Sequence, residues 1–211
     1  PNTSLPTPTR AAVATERALR SIGAGDRFAR LDIAIRAAGL TLIDHGARVE
    51  AAVVAPDGNL ELFTTSPVEL GPPWSPSDAP GTRPPGTCWE LPAGTPVELL
   101  ADDARRVGAP CPTLVQLGRD LDDRDVYVDL EALEALEIGG PGDQADAVVA
   151  AIASTLAASV LAEVTTLVGV GVPDAAFLGH RLHRPVRDVQ RAFEAALPCA
   201  FAAMQAGGAM P

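Results

Sequence analysis

Lysine is absent from this 211-residue chain: all 16 basic residues are arginines, set against 27 acidic ones. Schiff-base chemistry and the P-loop lysine are removed together, because both need a primary amine. The net charge of −11 argues against nucleic acid, which is held through basic side chains on its phosphates. Aromatic residues make up only 4%, so the core must be built from Val, Leu, Ile and Ala. Cysteine is scarce as well, with Cys88, Cys111 and Cys199 far apart and odd in number. A secreted disulfide framework uses a denser, even set, so reduced thiols in the cytoplasm are expected. No run of about 18 apolar residues occurs, and no membrane contact is expected of this segment.

What is present suits one globular domain. Hydrophobic residues reach 47%, enough for a real core. A Pro/Thr/Ser-rich stretch over 1–9 reads as a linker and 205–211 as a tail, leaving a single α/β domain over 10–204. Both ends read as cut from a larger protein, which could itself be membrane-anchored.

The first lobe, 10–111, carries helices and a hairpin. A modest amphipathic helix is expected over Arg10–Ile22. A second, capped by Asp26, places Phe28, Leu31, Ile35 and Ala38 on one face and is expected to end near Gly39. Two alternating runs, from Val49 and from Leu60, flank the turn Pro56-Asp57-Gly58-Asn59 and predict a β-hairpin. Pro67 to Gly86, with seven prolines, predicts a long surface loop. Cys88 to Leu91 reads as one more strand, with Trp89 as a core anchor.

The second lobe, 112–204, reads as a βαβ unit. Thr113–Leu117 and Val126–Leu130 are strand-like, joined by the acidic turn Asp120–Asp125, and Glu134–Ile138 is a third candidate strand. Asp143 is expected at the N-cap of a helix with Asp146 at N3, and Val148, Val149, Ile152, Leu156 and Val160 form its apolar stripe. A buried strand over Val164–Val170 would follow, then a helix from Pro185 to Leu197. The fold class is therefore α/β, a mixed sheet with a β-hairpin lobe and a degenerate P-loop-like βαβ unit.

Several chemistries are approached without their key residues. Gly139-Gly140-Pro141-Gly142 sits between a strand-like run and a helix, where a P-loop would lie. Aligning GxxxxGK[ST] at Gly140 puts Ala145, Asp146 and Ala147 at the Gly, Lys and Ser/Thr positions, so a tight turn and a capped helix explain the stretch better. Gly140, Gly142 and Asp146 stand as the only candidate cofactor-binding residues. Gly169-Val170-Gly171 lacks the third glycine of a dinucleotide fingerprint, having Asp174 there. Asp120, Asp122, Asp125 and Glu131 touch calcium-loop spacing, but Arg124 and Asp125 occupy positions that need a ligand and a glycine. His180 and His183 could share a helical face, yet Arg181 and Arg184 flank them and disfavour a cation. No GxSxG occurs, and the cysteines have no close histidine in sequence. No catalytic residue, metal or cofactor is assigned.

The order of features from Val53-Val54-Ala55-Pro56-Asp57-Gly58, through the Pro-rich stretch with Trp74 and Cys88-Trp89-Glu90-Leu91, to Pro112–Asp120 and Val126–Leu133 resembles a known arrangement. It is similar, over roughly residues 28 to 170, to the central region of actinobacterial multidomain membrane proteins carrying LysM and bacterial transcriptional activator domains. That resemblance implies an interaction or regulatory module and a relic P-loop unit at Ile138–Val170. The expected function is a non-catalytic scaffold, interaction or regulatory module contacting a protein partner or other domains of the same chain. The alternative is a divergent P-loop-like nucleotide-binding domain or ATPase, and a hydrolase with an unrecognised site is a third.

Overall fold

The computed structural model describes residues 26–77, 83–159, 161, 165–172, 176, 183–186, 190–192, 194, 196 and 197. The expected linker, the 10–22 helix and the tail lie outside the described residues.

Helix α1 (Asp26–Asp44) forms because Leu31, Ala34, Ile35, Ala38 and Leu42 recur at helical spacing, and all five are buried. It runs on through Gly39, where the sequence predicts an end. A Cβ at Gly39 would lie 3.0 Å from Val107 Cγ1 and 3.3 Å from Pro110 Cβ, so glycine permits close packing there and does not stop the helix. The stop is Gly46, at φ +62°. The Ala47 amide donates to the Leu42 carbonyl at 2.9 Å and the Gly46 amide to Ile43 at 3.1 Å, which closes the helix as a Schellman motif.

Strands β1 (Val49–Val54) and β2 (Leu60–Thr64) form the expected hairpin, with Val54 opposite Leu60. Its turn is held by the Asp57 carboxylate, which accepts from the Asn59 amide at 2.9 Å, and by Gly58 at φ +90°. Trp89, on β4 (Cys88–Leu91), lies opposite Leu62 of β2. It is buried, and its indole N–H donates to the Gly86 carbonyl at 3.2 Å. The Pro-rich stretch is less of a surface loop than expected. Val68, Leu70 and Trp74 are buried, and Ser75–Pro76 (β3) pairs with β4. Prolines prevent regular ladders but do not keep interspersed apolar side chains in water.

After helix α2 (Glu98–Arg106), strands β5 (Leu114–Arg119) and β6 (Asp125–Asp129) form a second hairpin, and β6 pairs with β1. The six-stranded sheet has the order β3-β4-β2-β1-β6-β5, and all its pairings are antiparallel. Adjacent strand residues face opposite sides, and the packing follows that alternation. Leu114 and Tyr127 join the main core under α1 and α2, while Val115 and Val128 join a second cluster with helix α4 (Gly142–Ala158). The sheet is thus sandwiched between helices, although α4 reaches only its β5–β6 end.

The expected strand at Glu134–Ile138 does not form. The Asp129 carboxylate accepts from the Glu131 amide and caps the short helix α3 (Leu130–Leu133), and Glu134 at φ +62° turns the chain away. Helix α4 then begins with Pro141 at its N-cap and no side-chain cap. Asp143 is therefore the second helical residue, favoured by the macrodipole, and Asp146 lies beyond the first turn. The buried face of α4 is Ala153, Leu156 and Ala157, whereas Val148 and Val149 are exposed; Val160 lies outside the described residues. Strand β7 (Leu167–Val170) pairs in parallel with β8 (His183–Val186), which follows it. Strand β8 also takes the start of the helix expected at Pro185; helical residues come later, at 190–192, 194, 196 and 197. The α/β architecture holds, with antiparallel and parallel pairings in separate sheets.

Candidate functional site

The Gly139–Gly142 turn lies on the surface. Gly140 has φ +141°, and a Cβ added at Gly139, Gly140 or Gly142 would meet nothing within 4 Å. Of the three, Gly140 alone has a backbone conformation that favours glycine, and the candidates Gly140, Gly142 and Asp146 are all exposed. Gly171 bends the chain after β7 at φ +71°, while Asp174 lies outside the described residues.

The acidic turn is an arginine-bound structure. Asp120 accepts from the Asp122 and Arg124 amides at 3.0 Å and from Arg124 Nε at 2.7 Å. Asp125 is buried and accepts from Gln116 Nε2 at 2.9 Å, Arg119 Nε at 2.8 Å and Arg27 at 3.1 Å. Arg27 lies in the first turn of α1, so this carboxylate ties the helix start to the β5–β6 hairpin. Among the described residues no group of three or more His, Cys, Asp or Glu could hold a metal ion. His183 opens β8, so it does not lie on a helical face, and His180 lies outside the described residues.

Cys88 and Cys111 are free and buried, and Cys199 lies outside the described residues. Burial pushes both thiols up, with Asp129 adding to the effect at Cys111 and a bond to Ser77 opposing it at Cys88. Such thiols resist becoming the nucleophilic thiolate. Burial likewise raises the Asp129 carboxyl, against the hydrogen bonds from the Thr113 hydroxyl and the Glu131 amide. Tyr127 is pushed up to about 12 by burial and by the nearby Asp125 charge.

Arg30 is occupied by carbonyls. Its guanidinium donates to Gly58 at 2.7 Å, Thr95 at 2.9 Å and Pro92 at 2.6 Å, which fixes the hairpin tip and the 92–95 turn to α1. The feature that sequence reasoning missed is a surface depression. A depression of about 90 Å³ lies between α1, α2 and the 70–74 segment, with Ala37, Ala38, Leu70, Trp74, Leu99, Leu100 and Asp103 on its walls. Trp74 and Leu100 are buried in the floor, but Leu99 stands 65% exposed at the rim. The Leu99-Leu100 pair at the start of an acidic helix was the available signal, since a helix with a single narrow buried face of Leu100 and Ala104 leaves its neighbour Leu99 outside.

Among the described residues no helix is long and apolar enough to cross a membrane. No protein-family model matches the chain, and neither a curated protein nor a solved structure matches it.

Proposed function

We propose that this chain is a non-catalytic interaction or scaffold module of a larger protein, and that it meets its partner at the depression between α1, α2 and the 70–74 segment. The observation that carries this reading is Leu99, a large aliphatic side chain 65% exposed beside a floor made by Trp74 and Leu100. By contrast, the Asp120 and Asp125 carboxylates of the acidic turn are taken up by arginine side chains and backbone amides. Asp125 takes three side-chain donors, and Arg30 reaches three carbonyls. The resemblance of residues 28 to 170 to the central region of LysM- and activator-domain membrane proteins supports the same class of function. On this reading the partner is a protein, or another domain of the same chain, met in the reducing cytoplasm. Direct nucleic-acid binding forms no part of it, given the net charge of −11.

Site-specific photocrosslinking tests the proposal. A benzophenone amino acid at position 99, in the full-length protein in its own cells, should give one discrete protein adduct or one intramolecular crosslink. The same label at Asp122, whose side chain is 78% exposed, should not give that product. Identical product patterns from the two positions would refute the assignment of the contact surface.

A further inference from the structure

We propose that Arg83 is a side-chain latch: it closes the second face of the six-stranded sheet over Cys88, and it opens at high ionic strength while the domain stays folded. The face is defined by register. Val49, Ala52 and Val54 of β1 point into the main core, so two residues, Glu50 and Ala51, stand between core positions where a regular strand has one. The register slips there, and a bulge of that kind re-aims a side chain. It puts Glu50 beside Ala51 on the face away from α1 and α2. Phe63 of β2 lies opposite Ala51 on one side and Cys88 on the other, which places the three side chains in one row. Helix α4 packs on Val115 and Val128, at the β5–β6 end of that face, so among the described residues the row has no helix above it. Cys88 is nevertheless 2% exposed, and it belongs to neither core cluster.

Arg83 lies across this row. Its guanidinium grips the Glu50 carboxylate as a fork, at 2.7 and 3.1 Å, and its Cζ stands 5.0 Å from the centre of the Phe63 ring. Charge-assisted forks and cation–π contacts both hold an arginine in one place. Its charge reaches the Cys88 thiol as well, where it opposes the upward push of burial. The backbone that follows is anchored separately. The Thr87 hydroxyl donates to the Pro84 carbonyl at 2.7 Å, the Val68 amide to Gly86 at 3.0 Å and the Thr64 amide to Thr87 at 2.9 Å. The side chain can therefore swing off its partners while 84–87 stays in place, which makes opening a local event. The Arg83 and Glu50 side chains are 32% and 29% exposed, so salt reaches the pair.

Thiol labelling reads the latch, with the Cys88 thiol as a reporter. In a Cys199→Ser background the 211-residue chain keeps two thiols, and N-ethylmaleimide adducts at Cys88 and Cys111 are separated by peptide mass spectrometry. In the parent, Cys88 should label faster than Cys111, which is buried in the main core. Sodium chloride at about 1 M, where the Debye length is about 3 Å, should raise the Cys88 rate alone. Arg83→Ala and Glu50→Ala should each raise it by about tenfold or more, about 1.4 kcal/mol, and remove its salt dependence. The sign separates a cover from a charge effect, because losing the Arg83 charge by itself disfavours the thiolate and would slow labelling. The salt comparison needs no variant, so it decides the matter even where a substitution unfolds the chain. Cys88 and Cys111 labelling at one rate in the parent would overturn the inference, as would a Cys88 rate unmoved by salt or by Arg83→Ala.

Discussion

Replacing Asp129 by Asn should change how stability depends on pH, in a direction set by burial. The Asp129 carboxylate is 2% exposed. It accepts from the Thr113 hydroxyl and, at 3.2 Å, from the Glu131 amide. Those bonds favour the charged form, but burial outweighs them and leaves the carboxyl above its ordinary range in the folded chain. The folded state therefore holds this proton more tightly than the unfolded chain, where the value is about 3.9. Stability contributed by the protonated form is fully present below the unfolded value. It is lost as pH rises from there through the raised folded value. Asn keeps the capping oxygen and cannot ionise. The parent should thus lose stability relative to Asp129→Asn as pH climbs through that window, and the gap should be constant above it. Asp129→Ala behaves differently, because it removes a helix cap worth about 1 kcal/mol, while the Thr113 hydroxyl still accepts from the Glu131 amide at 3.1 Å. Urea unfolding followed by the fluorescence of buried Trp74 and Trp89, from acid to neutral pH, measures all three proteins. A parent that gained stability on Asp129→Asn with rising pH would show that the hydrogen bonds, and not burial, dominate this carboxyl.

Trp89→Ala should cost about 3–5 kcal/mol of unfolding free energy in urea titrations, the usual range for emptying a buried aromatic site; a loss under about 1 kcal/mol would contradict its place in the core. Gly39→Ala should destabilise by about 1–3 kcal/mol through overpacking, although alanine is the better helix former by about 1 kcal/mol. Relief of that cost by Val107→Ala in a double mutant would trace it to the 3.0 Å approach, and a more stable single variant would refute the packing account. Calorimetry with ATP or GTP and magnesium should show no heat of binding, because a phosphate about 4 Å from one of the carboxylates near the α4 N-terminus meets roughly 4 kcal/mol of repulsion at an effective dielectric of 20. Millimolar or tighter binding that Asp146→Ala abolishes would mean that this carboxylate holds a metal.

The hairpins were legible in the sequence because their signals are local. Alternation at Val49–Val54 and Leu60–Thr64 names the buried face, and Asp57-Gly58 names the turn. The same holds for β5 and β6 around the acidic turn. Errors came where a distant partner decides the outcome. Gly39 reads as a stop unless the 107–110 segment is known to press against it. Glu134–Ile138 has strand-like spacing but no sheet edge to join once α3 has turned the chain. Val148 and Val149 fit the apolar stripe of α4, yet the sheet touches its Ala153–Ala157 face. The candidate site was hidden for the same reason, since which of Leu99 and Leu100 goes inside depends on where α1 and Trp74 stand.

The ends of the six-stranded sheet bear on how this domain behaves when crowded. In the described residues one margin is the two-residue β3, which carries Pro76. The other is β5, whose register slips between Gln116 and Gly118 and which ends on Arg119. A proline, a bulge and a charge at the margins are the devices that keep open sheets from templating one another. Copies at high concentration therefore find little regular edge on this six-stranded sheet to pair with.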